Sequence, residues 1–116
     1  MNWIEITDEK DIAEIKLRSF DKPQVIFKHS TRCSISSMSL TRLERSEPTA
    51  NTDFHFIDLI KHRPLSGLIA EEFSIEHASP QILVITGGKC VYDESHNGIN
   101  MDDIDEAVNA LKKASL

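Results

Sequence analysis

The sequence predicts an α/β fold, a four-stranded mixed sheet flanked by helices, and three observations carry that reading. Strand-like segments rich in β-branched and aromatic residues alternate with segments of helical apolar spacing through much of the chain. The last two strand segments are separated only by Gly87-Gly88, a dipeptide suited to a tight hairpin. The length of 116 residues suits one layered core, so residues 1–116 are read as a single domain.

Each element has a local reason. Thr7, followed by Asp8-Glu9, opens the first helix, whose apolar stripe is Ile12, Ile15 and Phe20. After Pro23, Gln24–His29 has the composition of a buried strand. Ser30-Thr31-Arg32 forms a loop, and Cys33 opens a second helix carrying Ile35, Met38, Leu40 and Leu43 that ends before Pro48. Asp53–Asp58 is the second strand, and Pro64 suits the first turn of a third helix with Leu65, Leu68, Ile69 and Phe73. Ser79-Pro80 precedes the third strand, Gln81–Thr86, and the hairpin leads into Lys89–Asp93. The final helix starts near Asn100 as N-cap, with Asp102 and Asp103 in its first turn and Ile104, Val108 and Leu111 on one face. The order is αβαβαββα, in which the alternating half places strands parallel and the hairpin adds an antiparallel pair.

Composition narrows the function. Forty per cent hydrophobic and 28% charged residues are ordinary for a globular protein, and the net charge of −6 argues against nucleic acid as a partner. The longest apolar run, Gln81–Ile85, is far short of a membrane span, and Met1–Ile6 lacks a basic segment followed by an apolar one. Two cysteines far apart fit a reducing compartment, so the expected location is cytoplasmic. Residues 28–45 run against the overall charge, with Lys28, Arg32, Arg42 and Arg45 opposed only by Glu44. Lys28 and Arg32 are close enough in sequence to Cys33 to stabilise a thiolate or attract an anionic substrate.

Cys33 is the candidate nucleophile. It stands where a strand gives way to a helix and begins a Cys-x-x-Ser sequence ending at Ser36. First-turn N–H groups favour the thiolate, the form that attacks disulfides. With serine at position 36, a mixed disulfide on Cys33 has no neighbouring thiol to resolve it. Cys90 follows the far end of the third strand, about 16 Å away at the usual strand rise, and is read as structural. The five histidines form no helix-spaced pair and no Cys-x-x-Cys occurs, so no metal is expected.

The element order matches the thioredoxin layout, and the residues extend the match. The stretch Lys28-His-Ser-Thr-Arg-Cys33 with Ser34-Ile-Ser36, then Asp58-Leu-Ile, Arg63-Pro64, His77-Ala-Ser-Pro-Gln81 and Ser95-His96, resembles the monothiol bacilliredoxin family over nearly the whole chain. One position departs: Ser34 stands where family members commonly carry proline, and the redox potential depends on that turn. The resemblance implies a thioredoxin-like fold with a cis Pro80 facing Cys33. It also implies a monothiol oxidoreductase that removes bacillithiol from S-bacillithiolated proteins through a Cys33 mixed disulfide. Bacillithiol would be the co-substrate, and a second bacillithiol or a partner redoxin would restore the thiol.

Around Cys33, Arg32 would pair with thiolate or with a carboxylate of bacillithiol, Ser36 would hydrogen-bond the sulfur, and the backbone of Ser79, held by Pro80, would bond the substrate in strand fashion. His77 and His96 lie in loops at the same end of the sheet. Two other functions stay open. One is a redox-inactive binding module on the same scaffold; the other is an iron–sulfur carrier like the monothiol glutaredoxins, whose Cys-Gly-Phe-Ser motif is absent here.

Overall fold

Five strands, not four, make up the sheet in the computed structural model, which describes residues 1–114 and side chains as far as Ala110. The elements are β1 (Ile4–Glu5), α1 (Glu9–Arg18), β2 (Gln24–His29), α2 (Ser34–Arg45), β3 (Asp53–Asp58), α3 (Arg63–Glu72), β4 (Gln81–Thr86), β5 (Lys89–Ser95), a 3-10 turn (His96–Gly98) and α4 (Met101–Ala114). The strand order is β1-β3-β2-β4-β5. β1, β3 and β2 run parallel, and β4 and β5 are antiparallel to their neighbours. The additional strand, β1, has only two residues, both exposed, too few to register as alternation. Its place is held by Ile6, fully buried, and by Trp3, whose ring lies 5.8 Å from Phe27 and 6.0 Å from Phe54.

Strand alternation divides the core between the two faces of the sheet. Val25, Phe27, Phe54, Ile82 and Val84 face Leu43 of α2 and Ile104 and Val108 of α4. Ile26, Ile57, Leu83 and Ile85 face Ile12 and Ile15 of α1, Ile69 of α3 and Phe73 at the C-cap of α3. Central strands covered on both faces read as continuous apolar runs, as β4 does.

Several boundaries shift for local reasons. Asp8, rather than Thr7, caps α1, because its carboxylate accepts the Lys10 N–H while Asp11 reaches back to the Asp8 N–H. Phe20 lies past the helix end and is exposed; its ring covers the hairpin tip at Gly88. Gly87 and Gly88 have φ of 58° and 77°, the left-handed conformation that such a turn requires. That tip is tied to the end of α1 by Gly87 N–H to Ser19 O and Gly88 N–H to Ser19 Oγ. Asn100 caps α4, accepting the Asp103 N–H at 2.9 Å. The side chain of Leu111 lies outside the described residues.

The largest departure is in α2. Its buried residues are Ser36, Ser39 and Leu43, whereas Met38 is 61% and Ile35 37% exposed. The apolar stripe expected along this helix therefore faces outward over its first two turns.

Candidate active site

Three segments meet at the end of the sheet where β2 finishes. β2 delivers the chain through Ser30-Thr31-Arg32 to Cys33, which is the N-cap of α2 with φ −107° and ψ 120°. Its N–H donates to Ser30 O and its carbonyl accepts the Ser37 N–H. The side chain makes no capping hydrogen bond and the residue is partly exposed, at the helix end where first-turn N–H groups lack intrahelical partners. Because Lys28 pairs with Gln81 in the antiparallel β2–β4 ladder, Pro80, the residue just before β4, comes beside the end of β2. The Ser79-Pro80 peptide bond is cis, as the resemblance implies. The third segment is the 3-10 turn: the His96 N–H donates to Pro80 O and Ser39 Oγ donates to His96 O. Arg42 fastens α2 to the same turn, donating to Ile99 O at 2.7 Å.

Arg32 is exposed and forms no ion pair or hydrogen bond among the described residues. Ser79 is partly buried, and its Oγ is enclosed without a hydrogen-bond partner. His96 is exposed at the rim in a left-handed conformation, φ 57°.

Ser36 is fully buried, and its hydroxyl is engaged away from the sulfur. It accepts the Ser30 N–H at 3.0 Å and lies 2.7 Å from His29 Nδ1. No bond from Ser36 to Cys33 occurs among the described residues. His29, to which the sequence gives a place in a strand and in the stretch leading to Cys33 but no role, is the partner that Ser36 meets. The signal was available in strand parity: His29 shares a face with Phe27, which packs against α2, so its ring must point toward that helix. The ring stacks on Phe27 at 5.7 Å and lies 5.8 Å from Phe56.

Lys28, expected to assist the thiolate, points the other way. Parity places it with Ile26 on the α1–α3 face, fully buried, where Nζ donates to Ser66 O and His77 Nδ1. Burial lowers its pKa to about 8, against a smaller opposing effect of Cys90. His77 is held at this cluster, its pKa lowered by desolvation and by Lys28. The basic residue next to the sulfur in sequence is therefore Arg32 alone.

Cys90 pairs with Ile85, and Ile85 with Gln24 at the start of β2, the end of that strand opposite Cys33. Burial pushes its thiol up to about 11, and Sγ donates to Tyr92 O. No group of three His, Cys, Asp or Glu residues able to hold a metal occurs among the described residues.

Comparison with known proteins follows this geometry. A family model described as monothiol bacilliredoxin matches residues 4–104. A solved structure of a candidate oxidoreductase with a thioredoxin fold is 24% identical, with TM-score 0.76 and coverage of 90% of this chain and 92% of that one. Thioredoxin from Malassezia sympodialis is 18% identical, with TM-score 0.70 over 94% and 90% of the two chains. Thioredoxin f from spinach chloroplast is 16% identical, with TM-score 0.72 over 96% and 87%. The structural likenesses show a thioredoxin fold.

Proposed function

Since the chain belongs to the monothiol bacilliredoxin family, we propose that it removes bacillithiol from S-bacillithiolated proteins by thiol–disulfide exchange at Cys33. The observation that carries this reading is Cys33 itself: a partly exposed cysteine at the N-cap of α2 whose side chain makes no capping hydrogen bond. Its partner thiol must be external, because position 36 is serine and Cys90 lies at the far end of β2.

The exchange has two steps. Cys33 thiolate attacks the bacillithiol sulfur of the mixed disulfide; the new S–S bond joins Cys33 to bacillithiol, and the protein sulfur leaves as thiolate and takes a proton from water. A second bacillithiol thiolate, or the thiolate of a partner redoxin, then attacks the bacillithiol sulfur and releases Cys33 as thiolate. Arg32, exposed beside the sulfur, suits a carboxylate of the incoming thiol. The Ser79 backbone would hold the substrate alongside β4, which is already paired through its own length.

The test is incubation with a bacillithiolated model protein, following intact mass. The expected result is an adduct of bacillithiol on the native chain and none on Cys33→Ser. A native chain that gains no mass while the substrate survives would overturn the proposal. One observation favours a second reading, a module that docks a partner without turnover: Ile35 and Met38 present apolar surface in the first turns after Cys33. Capture of a protein partner by both the native chain and Cys33→Ser, with no adduct on either, would select it.

A further inference from the structure

Ser36 has one hydroxyl hydrogen, and the structure restricts where it goes. The oxygen accepts the Ser30 N–H, and the only acceptor within hydrogen-bond reach of the hydroxyl among the described residues is His29 Nδ1, at 2.7 Å. Both side chains are buried, Ser36 at 0% and His29 at 6% exposure, so water does not compete for the bond. Ser36 occupies the third position of α2, counting from Cys33 as N-cap. N-cap and N3 are the two positions that a capping box brings within reach of each other across the first turn, so a Ser36 hydroxyl released from His29 can turn toward Cys33.

We propose that His29 takes the Ser36 hydroxyl hydrogen in a hydrogen bond and so withholds that donor from the Cys33 sulfur. His29 is a positioning residue that acts through Ser36. With Nδ1 as acceptor the neutral ring carries its proton on Nε2. The groups around the ring are consistent with a neutral imidazole. Phe27 and Phe56 pack against it from β2 and β3; the charged groups acting on it are the carboxylates of Asp58 on β3 and Glu44 on α2. Burial outweighs those two carboxylates, and the net direction of its pKa is down. The consequence is a thiolate that receives no hydroxyl hydrogen bond, which keeps it a stronger nucleophile than one held by a hydroxyl.

The inference rests on Cys33 being the nucleophile, and its test does not require any bacillithiolated substrate. The pH dependence of iodoacetamide alkylation, read at the Cys33 peptide by mass spectrometry, reports the thiol pKa in each variant. Ser36→Ala should leave it unchanged. His29→Phe should lower it by about half to one unit, a three- to tenfold larger thiolate fraction below the pKa, because the freed hydroxyl turns to the sulfur. His29→Phe with Ser36→Ala should return it to the native value, and His29→Asn, whose carbonyl replaces Nδ1 as acceptor, should keep it there. His29→Leu repeats the measurement if the phenyl ring does not fit. A rise on Ser36→Ala would overturn the proposal, since the hydroxyl would then already serve the sulfur. So would an unchanged value in folded His29→Phe or His29→Leu. If neither folds, Ser36→Ala alone decides: no change supports the proposal and a rise defeats it. Failure of bacillithiol transfer with this pattern intact would count against the proposed substrate and not against the His29–Ser36 pair.

Discussion

Cys33 and Cys90 show how far environment separates two residues of one type. Cys33 caps a helix with its sulfur unbonded; Cys90 is desolvated, bonded to a carbonyl and pushed up to about 11. A thiol held that high is protonated at neutral pH and inert in exchange. Cys90→Ala is therefore expected to leave transfer to Cys33 unchanged and to cost about 1 kcal/mol of stability through lost packing, measured by mass-resolved transfer and urea unfolding. The position of Cys33 was legible in sequence because a strand-to-helix junction is a local feature. The orientation of Lys28 follows from its parity with Ile26, not from its proximity in sequence to Cys33, and puts it on the opposite face. Sequence places Ser36 in the first turn of α2 but not its partner, since a hydroxyl's choice among acceptors depends on His29, which arrives from another element.

Among the elements, α2 breaks the usual pattern. An amphipathic helix normally buries its apolar stripe, yet here serines line the inward face near the site and Ile35 and Met38 face outward. Small polar residues allow α2 to approach β2 and the His96–Gly98 turn closely, with Ser39 and Arg42 bonding that turn directly. Periodicity alone could not show this, because it gives the phase of a stripe and not the side on which the sheet lies. The β4–β5 hairpin is the reverse case, where two glycines dictated the turn locally. Gly88→Ala is expected to destabilise by about 1–2 kcal/mol, since a β-carbon is unfavourable at φ 77° and would lie 2.8 Å from the Phe20 ring. Gly87→Ala, with φ 58° and open space around it, should cost less. Denaturant unfolding of the two variants checks the order.

Across the whole molecule, stability depends on keeping buried histidines neutral. Gln24 donates through its amide nitrogen to Asp53, so its oxygen accepts from His55 Nε2, and this buried pair joins β2 to β3. Desolvation is the main cause that lowers the His55 pKa to about 4. Between the ordinary value of 6.5 and about 4 the unfolded chain binds the proton that the folded one excludes, so stability falls as pH falls through that window. Burial lowers His29 as well, and it acts in the same direction. Asp53 acts at lower pH. Burial opposes its ionisation, but hydrogen bonds from Lys22 and Gln24 and the charges of Lys22 and Arg18 prevail and hold it below the usual range. Its contribution is present above the unfolded value and lost as pH drops through the folded one. His55→Gln should flatten the loss between pH 6.5 and 4 by up to about 3 kcal/mol. Equilibrium unfolding at stepped pH measures it; a native-like slope in the variant would assign the acid loss to other groups.

Sequence by itself determined the alternation of elements, the hairpin, and the place of the reactive cysteine at a helix start. These are properties of contiguous residues, set by local propensity, turn conformation and apolar spacing. Only the tertiary structure decided which face each helix covers, that β1 joins the sheet as a fifth strand, and that His29 meets Ser36. Those outcomes turn on residues brought together by strand pairing, and the pairing is chosen by the energy of the whole core rather than by any one segment.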